Sequence, residues 1–418
     1  MLFNVLLVIC VIVFGLIVNY DFKNTITNII FFWFYMSFAL YNLMPFIEFH
    51  FLQSFINFSL SGVKIDYNKN SEINSLITFL ITSVLLIVFF SRFPITKIVQ
   101  FDKKIDTRKL FLFLISTYLL IFIIFFPNFV ASFGSYEGNV TTKGVSGVFS
   151  FFCDFISFSA GIFAFVFYAN KLFVKSLLFS IIPIIMGVLL SSKDEIIIGL
   201  ISIVNIYFFL HNKKGKVFLS FAVLFLAPLF SVVFSVYRTP EASIVDLNSY
   251  IFYILGGIYL NSDVGGNFVV YRILTDSVDY FQLGIGHLEG LMTFLPNFLF
   301  NRGLDPAENL ASSNMINYER GMGIGYSFLG EAYSNFGYFS VFSYILYFSI
   351  LFFCFKYIKK LFRMNDIIYL GFLSSFVSYS LVSMHRSFLF GSLKNQIYFM
   401  LFLCFFSFCY SRLTSIKY

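Results

Sequence analysis

Charged residues are scarce in this sequence. Asp, Glu, Lys and Arg make up 12% of the 418 residues, whereas hydrophobic residues make up 59% and the mean hydropathy is +0.86. A soluble protein of this length needs far more polar surface, so the composition predicts a protein that sits in lipid. Strand-like alternation over stretches of roughly ten residues is also missing, which favours helices as the spanning elements.

Cysteine is rare, and several catalytic motifs are missing. The five cysteines lie inside predicted apolar spans, which excludes loop disulfides and the ligand spacing of a zinc site: Cys10, Cys153, Cys354, Cys404 and Cys409. The chain has no HExxH, Walker A or GxSxG motif, and no GxGxxG motif in a βαβ context. Zinc protease, nucleotide-binding and esterase functions therefore have no support. We expect no cofactor and no metal site.

The apolar runs predict an all-α polytopic membrane protein with about eleven transmembrane helices. The predicted spans lie near residues 2–20, 27–48, 74–91, 110–126, 147–169, 176–192, 196–210, 217–237, 338–355, 367–384 and 389–410. The first run follows no basic segment and contains no small-residue cleavage site. We therefore interpret it as a retained helix and not as a signal peptide.

Basic residues are divided unequally between alternate connections. One set holds most of the lysines and arginines, including the segment from Arg92 to Lys109, but only four aspartates: Asp21, Asp102, Asp106 and Asp366. Because lysine and arginine are retained in cytoplasmic loops, this set is predicted to face the cytoplasm. Topology thus accounts for the net charge of +7, and no nucleic-acid partner is expected.

One predicted outer connection is much longer than the others. Residues 238–322 form a large periplasmic loop, between a bundle of about eight helices at 1–237 and a bundle of about three at 323–418. Two stretches of this loop, Tyr250–Leu260 and Gly290–Phe300, are apolar but too short to span. They are predicted to be re-entrant or interfacial helices. A loop of this length is usually functional.

Ionisable side chains cluster on the predicted outer face. The basic candidates for binding a phosphate or carboxylate group are Arg238, Arg272, Arg302, Arg320, Arg386 and Lys193. Arginine suits such ligands because its planar fork donates two parallel hydrogen bonds and stays charged. The alternative is that these groups are solvated or paired with nearby acids such as Asp305 and Glu319.

The loop ends in the glycine-rich stretch GMGIGYSFLGEAYSNFG, residues 321–337, which leads into a span. On a helix, Glu331 and Asn335 share one face, where a carboxylate and an amide could meet one sugar hydroxyl; Tyr333 lies between them in sequence. Glu331 and Glu289 are candidate general bases, and His287, two positions before Glu289 in GIGHLEG, is a further catalytic candidate. The alternative is that Glu331 faces water and that Tyr333 belongs to an interfacial aromatic belt.

The chain resembles the Wzy-type O-antigen polymerases, which join oligosaccharide repeat units of surface polysaccharide. The resemblance rests on the architecture along nearly the whole chain, on the short turn SSKDE at Ser191–Glu195 and on the loop end GIGYSFLGEAYSNFG. It implies an inner-membrane glycosyltransferase that uses undecaprenyl-diphosphate-linked glycans at the periplasmic face. A chain-length regulator and a flippase are the partner proteins that it suggests.

The resemblance also implies roles for individual residues. Outer-face arginines would engage the diphosphate, and a group of the loop would activate the acceptor hydroxyl.

Two alternatives to a polymerase function remain. A lipid-linked glycan flippase or transporter usually has repeat symmetry, which this sequence lacks. An O-antigen ligase usually has a histidine at the end of the loop, where this chain has Tyr326 and Ser327.

Overall fold

The structure is a computed structural model in which every regular element is a helix. It describes residues 2–22, 25–48, 50, 69–92, 107–133, 147–190, 192–211, 219, 222–230, 271, 275, 281, 283–292, 328–361, 366–383, 389–390, 393–394 and 396–401. The predicted all-α architecture is therefore confirmed for this part of the chain.

The helices are numbered here in chain order, and a short 3₁₀ turn, Gly337–Phe339, joins α11 to α12. Their bounds are α1 Leu2–Val18, α2 Thr25–Asn42, α3 Met44–Ile47, α4 Lys69–Ser91, α5 Thr107–Ile124, α6 Phe126–Ser132, α7 Gly147–Ala169, α8 Phe173–Leu189, α9 Lys193–His211, α10 Ile285–Met292, α11 Phe328–Phe336, α12 Val341–Leu361 and α13 Asp366–Ser383.

Several of these helices have the length and composition of membrane spans. Within the described ranges, three qualify outright: Glu72–Ser91, Thr107–Ile124 and Phe151–Ala169. A fourth is added if the bent pair α11 and α12 counts as one span. Shorter apolar helices include Leu2–Val18 and Phe173–Leu189. The figure of about eleven spans stays a prediction, and the predicted spans at 217–237 and 389–410 are only partly described.

Prolines set two of the helix boundaries. Pro45 lies in the first turn of α3, so the predicted span at 27–48 is divided at Leu43. Pro127 lies in the first turn of α6, just after α5 ends at Ile124. Proline has no N–H to donate inside a helix but is tolerated in the first turn, where that N–H would have no helical partner.

The helices pack in two groups that share an interface. In one group, α7 contacts α8, α9 and α13; in the other, α4 contacts α1, α2 and α12. Contacts of α2 with both α9 and α13 join the two groups. Large aromatic side chains fill the interior. In the second group the ring of Phe31 stacks on that of Tyr35, and Phe38 stacks on Phe79, with Tyr35 and Phe38 tilted against each other.

Small and polar residues line the contact between α7, α9 and α13. The side-chain amide of Asn205 donates to the Ser374 carbonyl and to Ser378 Oγ, both at 3.2 Å, and Ser202 Oγ donates to Ser378 Oγ at 3.3 Å. Gly371 of α13 lies directly against the backbone of Ile162 on α7. In lipid, where apolar surface is not driven out of water, such close approach and hydrogen bonding hold helices together.

Replacing Gly371 by alanine tests this close approach. A Cβ at position 371 would lie 2.7 Å from the carbonyl oxygen of Ile162, a backbone atom that cannot move without moving α7. We expect G371A to lower the free energy of unfolding in detergent by about 1–3 kcal/mol. The matched control is G15A, because nothing lies within 4 Å of a Cβ there. Equal stability of the two variants would contradict the packing.

Candidate functional site

A buried histidine and a buried carboxylate meet at one end of the bundle. His287 lies on α10 and Glu331 lies on α11, and their atoms Nδ1 and Oε1 are 3.0 Å apart. The two residues are only 3% and 1% exposed. They are separated by 44 positions in the sequence, so the contact is made by the fold and not by local spacing.

A serine completes the environment of the histidine. Ser343 lies in the first turn of α12, and its Oγ is 2.7 Å from His287 Nε2. Both ring nitrogens of His287 are therefore hydrogen-bonded, one to a carboxylate and the other to a hydroxyl. In this arrangement the carboxylate can orient the imidazole, and the imidazole can act as a base toward the hydroxyl group on its other side.

A backbone group and two aromatic rings enclose the pair. The N–H of Leu389 donates to Glu331 Oε2 at 2.8 Å, so both carboxylate oxygens are hydrogen-bonded. The rings of Phe336 and Phe390 lie with their centroids 5.7 and 6.4 Å from that of His287. An ionised carboxylate is costly to bury unless its oxygens are hydrogen-bonded, and this arrangement satisfies them.

The chain turns sharply on both sides of the site. Leu283 and Gly284 have φ values of 49° and 90°, in the left-handed region, and this turn leads into α10. Between α11 and α12 the chain bends by 118° through a 3₁₀ turn that begins at Gly337, which has a φ of 55°. A side chain at Gly337 would collide with the ring of Phe281. Because of this bend, Glu331 and Ser343 approach His287 from two different helices.

Polar side chains of α4 hold the bend from the other side. Thr78 Oγ1 and Ser340 Oγ are 3.2 Å apart, and the amide of Asn74 donates to Ser340 Oγ at 3.4 Å. On α12, Tyr344 donates its hydroxyl proton to Asn42 Oδ1 at 3.0 Å. The position of Ser343 therefore depends on contacts with both α2 and α4.

The hydrogen-bond pattern limits the protonation of the imidazole. An ionised carboxylate only accepts hydrogen bonds, so Nδ1 of His287 carries a proton and donates it to Glu331. In the neutral ring, Nε2 then has a free lone pair and accepts from the Ser343 hydroxyl. This nitrogen is the atom that can take up a proton from a bound hydroxyl group.

Two of the predicted site residues lie beside Glu331 on α11. Asn335 is fully buried, and its amide donates to the backbone carbonyl of Glu331 at 3.0 Å. This amide N–H is therefore bonded to the backbone and is not paired with the Glu331 carboxylate as predicted. Tyr333 is also buried, with its ring edge-on to those of Tyr271 and Phe281. The alternative of a water-facing Glu331 is therefore wrong, and Tyr333 packs against rings of the protein.

Other predicted site residues cannot be compared with this geometry. Glu289 and Lys193 belong to α10 and α9, but their side chains lie outside the described residues. The arginine candidates also lie outside them: Arg238, Arg272, Arg302, Arg320 and Arg386. So do the apolar stretches of the long loop, except for Gly290–Met292 at the end of α10.

Sequence reasoning missed Ser343 and the backbone N–H of Leu389. A serine in the apolar run VFSYIL carries no signal by itself, and a backbone donor carries none. A second pair, His50 and Glu72, was missed as well, and its atoms Nε2 and Oε2 are 3.7 Å apart. No group of three or more His, Cys, Asp or Glu residues able to hold a metal ion occurs in the part of the chain that the structure describes.

Comparison with known proteins gave no significant match to a family model, a curated protein or a solved structure.

Replacing Glu331 by glutamine tests the protonation that we assign to His287. The glutamine oxygen must accept from the Leu389 N–H, which leaves its NH₂ group facing Nδ1. We therefore expect E331Q to move the imidazole proton from Nδ1 to Nε2, which then donates to Ser343. ¹⁵N NMR of histidine-labelled protein distinguishes the two forms, and loss of a signal in H287Q identifies His287 among the four histidines.

The control for this measurement is E72Q, which changes the carboxylate beside His50 and leaves the His287 signal unchanged. A proton that stays on Nδ1 in E331Q would contradict the assigned hydrogen-bond pattern.

Proposed function

We propose that the chain is a membrane glycosyltransferase that polymerises lipid-diphosphate-linked oligosaccharide repeat units, with His287 as the general base. The observation that carries the proposal is the buried contact of 3.0 Å between His287 and Glu331, with Nε2 directed at a hydroxyl group. The sequence resemblance to Wzy-type polymerases gives the reaction class. The contact supplies a base of the kind that this reaction needs.

In the proposed reaction, an acceptor sugar hydroxyl takes the place of Ser343 Oγ beside His287 Nε2. The acceptor oxygen attacks the anomeric carbon of the donor glycan and its proton passes to Nε2. The bond from the anomeric carbon to the lipid diphosphate breaks, and the diphosphate leaves with the bonding electron pair. Glu331 holds the ring in place and stabilises the imidazolium that forms.

The outer-face cations are the proposed ligands of the leaving diphosphate. Two residues that the structure describes support this assignment. Each lies near a candidate arginine in the sequence, and each packs close to α11. Tyr271, the neighbour of Arg272, has its ring 6.3 Å from that of Tyr333. Leu389, three residues after Arg386, donates to Glu331. Positive charge at the leaving group would stabilise the transition state.

The proposal includes a location in the bacterial inner membrane, with about eleven spans and the loop at 238–322 on the periplasmic side. Two observations support it. The described helices include several that are long and apolar enough to cross a bilayer. The unequal division of basic residues between alternate connections favours this orientation.

Variants of the histidine and the carboxylate test the proposal. In cells that depend on this chain for polymer, we expect H287A and E331Q each to reduce polymer formation by about 100-fold or more, because the base is removed or loses its orientation. Surface-polysaccharide gels at matched expression measure the effect. The control is H50A, which alters the other histidine–carboxylate pair and should leave polymer unchanged.

The form of the defect separates the alternative functions. Loss of a polymerase leaves single repeat units on the lipid core, loss of a ligase leaves none, and loss of a flippase strands the repeats on the cytoplasmic leaflet. Full-length polymer from H287A would exclude His287 as the base. Single repeats missing from E331Q cells would favour a ligase.

One observation favours a second function, that of a serine hydrolase or acyltransferase. Ser343 Oγ, His287 and Glu331 are linked at 2.7 and 3.0 Å in the order nucleophile, base and orienting acid. In this reaction Ser343 Oγ attacks an ester carbonyl carbon while His287 takes the hydroxyl proton. The proton then returns to the alcohol as it leaves, and a covalent acyl-serine forms. Such triads are recognised by geometry and not by sequence motif.

Replacing Ser343 by alanine separates the two functions. If Ser343 only occupies the position of the acceptor hydroxyl, S343A keeps polymer formation within about tenfold of wild type. If Ser343 is the nucleophile, S343A abolishes activity and also abolishes labelling by a fluorophosphonate probe. The control is S334A, since Ser334 is also buried and, among the residues that the structure describes, its Oγ bonds to the Glu331 carbonyl of its own helix and not to His287.

A further inference from the structure

An apolar groove runs along the outside of the bundle between α4 and α12. Its volume is about 290 Å³, and its walls include Leu85, Val88, Phe89, Ile345, Phe348 and Phe353. The two helices run in the same direction. Thr78, in the third turn of α4, contacts Ser340, which directly precedes α12, and further along both helices Phe89 has its ring 5.3 Å from that of Phe352.

The length of the groove matches one leaflet of a bilayer. Its lining on α4 extends from Thr82 to Arg92. Ten helical residues rise by about 15 Å, which is half of a hydrocarbon core of roughly 30 Å. Val88 and Phe353 on its walls are 49% and 57% exposed in the isolated chain, so the groove is open to lipid.

Positive charge is concentrated at one end of the groove. Arg92 lies at the end of α4, lines the groove and is exposed. Lys356 of α12 is also exposed and lies one turn beyond the groove-lining Phe352, with its Nζ 5.9 Å from the centroid of that ring. Among the residues that the structure describes, no carboxylate pairs with either cation. An apolar channel with two cations at one end is complementary to a lipid with an anionic head group.

We infer that this groove binds one acyl chain of an anionic phospholipid, whose phosphate lies between Arg92 and Lys356. The chain lies against the aromatic and aliphatic walls and ends near the bilayer centre, beside Thr82 and Tyr344. Electrostatic attraction favours the anionic head group, and the length of the groove favours an acyl chain that reaches from the membrane surface to the bilayer centre. The site is independent of the proposed glycosyltransferase reaction, because it contains none of the residues of that reaction.

Native mass spectrometry of the full-length chain tests this site with two lipids of identical acyl chains, phosphatidylglycerol and phosphatidylcholine. We expect wild-type protein to retain one phosphatidylglycerol at least tenfold more strongly than phosphatidylcholine. R92Q removes a charge on the surface, so it should fold normally and lose this preference. S349F fills the groove and should reduce retention of both lipids.

Matched controls separate the site from general effects of charge and size. K175Q removes a cation that lies over Phe111 on other helices, and V84F enlarges an exposed side chain of α4 outside the groove. Both should retain phosphatidylglycerol as wild type does. Retention of phosphatidylglycerol by R92Q and S349F at wild-type strength would overturn the inference. So would displacement of the bound phospholipid by an equal concentration of a polyprenyl phosphate.

Discussion

The hydrogen bond between His287 and Glu331 is the interaction on which the arrangement of this end of the molecule depends. A carboxylate that is 1% exposed is tolerated only because Oε1 and Oε2 are both hydrogen-bonded. Removing one partner of such a buried pair typically costs about 3–5 kcal/mol, since the remaining group keeps its desolvation penalty. The pair therefore fixes α10, α11 and the segment at Leu389 relative to one another.

The bend between α11 and α12 turns this fixed pair into a site. A straight continuation of α11 would carry Ser343 away from Glu331, because 12 residues of helix rise by about 18 Å. The left-handed Gly337 and the 118° bend bring Ser343 back to the other side of the imidazole. Asn74 and Thr78 then hold the bend against α4. Backbone geometry thus decides which hydroxyl group the base faces.

The sequence was sufficient to predict the helical class and the helical setting of Glu331 and Asn335, and to name His287 and Glu331 as candidate catalytic residues. It could not predict that these two side chains meet, because spans with apolar residues on every face give no indication of which helices become neighbours. The predicted partnership of Glu331 with Asn335 followed local spacing. In the structure, that spacing produces a hydrogen bond to the backbone carbonyl instead. Ser343 acquires its position from the bend and from the contacts that hold the bend against α2 and α4.

The hydroxyl of Ser343 also bears on how a closed site can accept a substrate. A buried imidazole nitrogen without a partner costs about 1–3 kcal/mol, and Ser343 removes that cost while no substrate is bound. An incoming sugar hydroxyl has the same donor and acceptor groups as serine, so the exchange of one for the other conserves the number of hydrogen bonds. The internal hydroxyl thereby favours hydroxyl groups as the acceptors at Nε2.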